Sequence, residues 1–101
     1  MRDRADLDAI LAEIVGEDRL YFQPPENFKL SYPCLIYSLE DRNSDFADDT
    51  PYMVTKRYNL LYISKDPDDP VPDQLALLPL CRFDRRYVAD KLYHDSLSIY
   101  F

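Results

Sequence analysis

The side chains from which a small protein builds catalysis are sparse in this chain of 101 residues: one histidine, His94, and two cysteines, Cys34 and Cys81. A nucleophilic cysteine needs a base within hydrogen-bond reach and a third group to orient that base. Cys81 and His94 would meet only across a hairpin of the last two strands, and no third group is evident. The cysteines lie far apart in sequence and outside any Cys-x-x-Cys motif, so they read as reduced thiols behaving as small buried hydrophobes. The acids Asp66, Asp68, Asp69 and Asp73 invite a calcium reading. An EF-hand loop, however, requires an oxygen ligand at its fifth position, glycine at its sixth and glutamate at its twelfth. Counting from Asp66, those positions hold Pro70, Val71 and Leu77. The cluster therefore reads as a solvated turn.

Gly16 is the only glycine, which excludes the dinucleotide fingerprint and the P-loop, both of which need several glycines for backbone to approach phosphate. No serine sits in a nucleophile elbow, and one histidine cannot serve both a triad and a metal site. With nineteen acids any two carboxylates might converge, so a hydrolase reading has only unplaced carboxylates behind it. The expectation is a protein with no enzymatic activity and no cofactor or metal, in which His94 is an ordinary half-exposed strand residue.

Charge arrangement is more informative. The formal net charge is −7, which opposes the counterion release that drives nonspecific binding to nucleic acid. Acids gather in two regions, Glu40, Asp41, Asp45, Asp48, Asp49 and then Asp66, Asp68, Asp69, Asp73, while Arg82, Arg85 and Arg86 form the densest basic group. The plain interpretation is a solvated surface. The sharper one pairs one molecule's acidic loop with its neighbour's arginines, making Arg82, Arg85, Arg86, Asp45, Asp48 and Asp49 the candidate interface residues. No apolar run is long enough to span a bilayer, and the first residues lack a signal peptide's pattern, so a cytosolic protein is expected.

These groups must be positioned by a modest core. Hydrophobic residues make up 47% of the chain, enough to offset ordering entropy in one domain covering 1–101. From Asp3 to Gly16, Leu7, Ile10, Leu11, Ile14 and Val15 form one helical stripe. Asp3 suits the N-cap, Asp6 and Asp8 suit the positive end of the dipole, and Gly16 suits a left-handed residue after the last turn. Arg19 to Phe22 reads as a short strand stopped by Pro24 and Pro25. Cys34 to Leu39 reads as a central strand, and Glu40 to Pro51 as an exposed acidic loop.

Tyr52 to Ser64 reads as the longest strand, with Val54, Tyr58, Leu60 and Tyr62 on one face and its first half projecting beyond the core. Asp66 to Pro70 is a turn, and Pro72 opens a short helix carrying Leu75 and Leu78 that Pro79 ends. In the strand Leu80 to Ala89, Cys81, Phe83, Tyr87 and Ala89 alternate against Arg82, Asp84, Arg86 and Val88. A turn at Asp90 and Lys91 leads to the strand Leu92 to Phe101, where Leu97, Ile99 and Phe101 share a face. Nine tyrosines and no tryptophan suit half-buried strands or a surface that meets a partner. The order predicts an α+β domain, its mostly antiparallel sheet packed against the N-terminal helix and a second short helix.

Four stretches carry a resemblance: Arg19-Leu20-Tyr21-Phe22-Gln23-Pro24-Pro25; Tyr32-Pro33-Cys34-Leu35-Ile36-Tyr37; the run from Lys56 to Asp68; and the run from Cys81 to Asp95. Together they resemble small tail-completion proteins of long-tailed bacteriophages and prophages. The resemblance implies a tail-terminator-like α+β fold and a ring of subunits on the tail tube. It further implies contacts with the tail tube protein and with a head-completion or connector protein. DNA would pass through the ring without specific binding, and the protein would occupy the host cytoplasm during assembly and then the virion. A head-closure or other minor tail role stays open beside the terminator. The alternative from another class is an acidic regulatory or inhibitory module that binds a basic partner.

Overall fold

A computed structural model describes the backbone of residues 4–25, 29–47 and 50–101, and the side chains of the same residues except 41–55. Seven main elements follow in order: α1 (Arg4–Val15), β1 (Leu20–Phe22), β2 (Cys34–Ala47), β3 (Thr50–Ser64), α2 (Val71–Ala76), β4 (Cys81–Ala89) and β5 (Leu92–Tyr100). The strands form one sheet in the order β1-β2-β3-β5-β4. Only β1 and β2 run parallel, and every other neighbouring pair is antiparallel. This is an α+β fold.

The helix stripe packs as its spacing requires. Leu7 and Leu11 are fully buried, with Ile14 and Val15 packed against the same core. They meet Leu35, Tyr37, Tyr58, Leu60, Leu97 and Ile99, the odd positions of β2 and β5 and the even positions of β3, because side chains alternate faces along a strand. Registration makes this face continuous: Phe22, Tyr37, Leu60, Leu97 and Phe83 lie in one row across all five strands. Tyr37 and Tyr62 bury their rings and place their hydroxyls on carboxylates at the rim. Tyr37 donates to Asp8 of α1, and Tyr62 donates to Asp69 Oδ2 at 2.8 Å. Asp8 thus tethers α1 to the sheet as well as suiting the helix dipole. Burial, and then the bond to Asp8, push the Tyr37 phenol up to about 12.

Three expectations need correction. The stretch from Glu40 to Pro51 is not simply an exposed loop, because β2 continues to Ala47 and β3 begins at Thr50, pairing from Asp41↔Arg57 to Ala47↔Thr50. A strand ladder is a backbone interaction, so the projecting first half of β3 recruits its neighbour whether or not an apolar period is present. This ribbon accompanies an elongated shape, with extents of 51 × 25 × 23 Å. The ladder slips between Leu39 and Asp41, and there Glu40 meets Arg57 Nε at 3.5 Å.

Gly16 does follow the helix at positive φ, but at φ 93 and ψ 145 it is extended and not left-handed helical. Its carbonyl accepts from Arg19 N at 3.2 Å in a single 3₁₀ turn leading to β1. The simple alternation in β4 also fails, since a bulge between Phe83 and Arg85 changes the parity of everything after it. Asp3, expected as the N-cap, lies outside the described residues.

The C-terminal hairpin closes as expected. Asp90 and Lys91 both take positive φ, 52 and 63, the two-residue geometry whose twist matches the flanking strands.

Candidate interaction surface at the β4 edge

Both helices lie on one face of the sheet, and β4 is its outer strand. The bulge at Asp84 distributes the basic group. Arg82 pairs with Ser98 and Arg85 with Ser96, on the face away from the helices, whereas Arg86 pairs with Asp95 on the helix face. The three arginines therefore do not form one patch. Arg82 and Arg85 share the open face with Tyr87 and His94. Arg85 lies over the Tyr87 ring at 4.7 Å, and that ring stacks on His94 at 4.8 Å. Asp84 accepts from Arg82 Nε at 3.3 Å and from the Ser98 hydroxyl at 2.6 Å, fixing the strand edge. Asp45 lies in β2 with its side chain outside the described set, and Asp48 and Asp49 lie outside the described residues.

On the helix face, Arg86 is held in place. Its Nε meets Asp95 Oδ1 at 3.2 Å, a terminal nitrogen donates to the Pro67 carbonyl at 2.8 Å, and the guanidinium lies 4.9 Å over the Tyr93 ring. This pins the acidic connector to the hairpin. The connector itself follows turn chemistry: Asp66 Oδ1 accepts from Asp68 N at 2.9 Å, and Asp69 Oδ1 from Val71 N at 3.0 Å.

Between α2 and the β4–β5 hairpin lies a pocket of about 390 Å³, lined by Asp68, Asp69, Asp73, Asp95, Arg86 and Phe83 among others. Asp95 is only 3% exposed, and its Oδ2 has no hydrogen-bond partner. Burial raises the Asp95 carboxyl above the usual range; Arg86 opposes this, while Asp69 and Asp73 add to it. Asp95 was not among the residues singled out by type and spacing. Its signal was its position, two and four residues before Leu97 and Ile99 on the core-facing side of β5.

Among the described residues no group of His, Cys, Asp and Glu is placed to hold a metal ion. Cys81 pairs with Ile99, at the far end of the hairpin from the Tyr87↔His94 pair, so thiol and imidazole are not brought together. His94 is half-buried, with Nδ1 at 3.1 Å from the Leu92 carbonyl. Cys34 is fully buried and Cys81 half-buried, and burial pushes both thiols up to about 11, away from the thiolate that a nucleophile requires. No helix among the described residues is long and apolar enough to cross a membrane. No family model, curated protein or solved structure matches this chain.

Proposed function

We propose that this chain is a structural subunit of the head–tail joining region of a long-tailed bacteriophage or prophage, a tail-terminator-like protein that forms a ring on the tail tube. The observation that supports this reading best is one-sided architecture: two helices cover one sheet face, and the other face and the β4 edge offer Arg82, Arg85, Tyr87 and His94 outward. A partly polar, aromatic and arginine-bearing surface of this kind suits contact between subunits. The β2–β3 ribbon adds a second projecting element for a tail tube protein or a head-completion protein to engage. An acidic ring suits DNA passage, because like charge repels the duplex where a basic channel would trap it.

The test is assembly. Tails assembled without the protein should be defective in joining heads, and the purified chain should co-purify with the tail tube protein encoded beside it. Reversing Arg82 and Arg85 to Glu should preserve the circular dichroism spectrum while removing the chain from tails. Absence of the wild-type chain from particles, together with failure to bind tail tubes, would overturn the reading.

A further inference from the structure

We infer that the outer edge of β4 takes up residues 40–47 of β2 from a second copy of this chain, so that the sheet of one copy runs on into the ribbon of the next. The inference rests on the ring reading and names the contact that would build the ring.

β4 is the outer strand of the sheet, and no described strand pairs with its far side. Its outward backbone groups follow from the register. Tyr100 N donates to the Leu80 carbonyl, and hydrogen bonding alternates residue by residue along an antiparallel pair. Arg82 therefore bonds inward to β5, and Phe83 turns its amide and carbonyl outward. Beyond the bulge, Ala89 and Leu92 flank the two-residue turn and form the pair that closes it, which turns Arg86 and Val88 outward. The run from Arg82 to Arg86 is exposed throughout, and Val88 is 63% exposed. An open edge of nine residues is a template for another strand.

β2 has an open edge of similar length. β1 covers it only along Leu35, Ile36 and Tyr37, and Gln23 extends that cover by donating its amide to the Tyr37 carbonyl and accepting from Leu39 N. Along residues 40–47 no described strand lies on that side, while β3 pairs with the other. These eight residues, at about 3.3 Å each, carry the ribbon roughly 26 Å. That is the scale by which the longest extent of the molecule, 51 Å, exceeds the other two, 25 and 23 Å. The ribbon stands clear of its own sheet and can reach a neighbour's.

Charge selects this pairing over the alternatives. Residues 40–47 hold three acids and one arginine, and β4 holds three arginines and one aspartate. Strands of opposite sign attract, whereas two β4 strands laid together would bring like charges together. The first half of β3 carries Lys56 as its only charge and lacks an amide donor at Pro51, while residues 40–47 contain no proline. Donor and acceptor are different edges of the chain. Such a contact is head-to-tail and closes into a ring when the rotation between copies permits.

Val88→Pro removes an outward amide without removing a bond to β5, so its fold should survive. D41N/D45K reverses the sign of the ribbon. Sedimentation equilibrium in low salt compares the wild-type chain, V88P, D41N/D45K and an equimolar mixture of the two variants, with circular dichroism to verify folding. Each variant should weaken self-association by about tenfold or more. The mixture should recover a dimer and nothing larger, because the intact ribbon of one variant meets the intact edge of the other. Hydrogen exchange on the wild-type chain needs no variant: the Arg86 and Val88 amides should gain protection as association rises. The inference is overturned if either folded variant associates like wild type, or if those amides exchange alike in monomer and oligomer. It is likewise overturned if the wild-type chain stays monomeric at every concentration, or if the mixture recovers nothing, which would assign association to a self-paired β4. Association through this contact without any binding to tail tubes would sink the tail reading alone. Normal tail completion by V88P would sink the contact alone.

Discussion

Replacing Tyr62 by Phe isolates one polar contact at the end of a buried ring that stands in register between Leu35 and Asp95. The ring is 3% exposed and its removal of oxygen alone leaves packing volume almost unchanged, so the cavity cost that accompanies larger truncations is small. What is lost is the 2.8 Å bond to Asp69 Oδ2. Hydrogen bonds to charged groups contribute about 1.5–3 kcal/mol net. Asp69 is only half-buried and can take water in exchange, which places the expected loss near the bottom of that range, about 1–2 kcal/mol. The assay is urea denaturation of wild type, Y62F, D69N and the double variant. Asn at 69 keeps an acceptor for Val71 N and leaves the tyrosine hydroxyl only a neutral bond, with the NH₂ donating to the phenol oxygen, so the charge-assisted bond is what the variant removes. The cycle should return a coupling of about 1 kcal/mol. Burial and then Asp69 raise the Tyr62 phenol well above its ordinary value, so the result should not change between neutral and mildly alkaline pH. A Y62F loss below about 0.3 kcal/mol with no coupling would mean that the tyrosine does not tie the connector to the sheet.

The other predictions concern the helix, the turn after it and the buried acid. L11A should cost about 2–5 kcal/mol in urea denaturation, because Leu11 is fully buried between α1 and the sheet; a shift under about 0.5 kcal/mol would mean the stripe is not packed. G16A should destabilise by about 1 kcal/mol or more, since φ is +93 and an added Cβ would lie 3.1 Å from Asp18 Oδ1; an unchanged midpoint would contradict that backbone geometry. Asp95 has a folded-state pKa raised above its unfolded value, so its ionised form penalises the fold fully above the folded pKa, and the penalty disappears as pH falls below the unfolded one. D95N should therefore be more stable than wild type at neutral pH, with the difference shrinking toward about pH 4; a difference that widens in acid would refute burial as the dominant influence.

Much of the local structure was legible in the chain. The helix spacing of Leu7, Leu11 and Ile14, the alternation of Tyr58, Leu60 and Tyr62, and the turn at Asp90 and Lys91 are short-range patterns, and each dictates its own element. Periodicity acts within a segment and needs no partner to be read. The exclusion of glycine-rich phosphate loops also followed from composition alone, because Gly16 cannot be in three places.

What escaped were properties that two segments decide together. The acidic run after Leu39 has no apolar period, yet it is strand through Ala47 because the backbone of β3 lies alongside it. The faces of Arg82, Arg85 and Arg86 depend on the bulge at Asp84, where β4 accommodates one more residue than β5 opposes, and a one-residue slip exchanges every side chain beyond it between faces. The burial of Asp95 depends on α2 and the connector folding over β5, which leaves one oxygen of an unremarked acid buried and without a donor. Sequence determined the helices, the apolar strand segments and the sign of the charges; only tertiary pairing decided how far β2 runs, which arginines share the open face and which carboxylates face a pocket, because register and burial are set by neighbours distant in the chain.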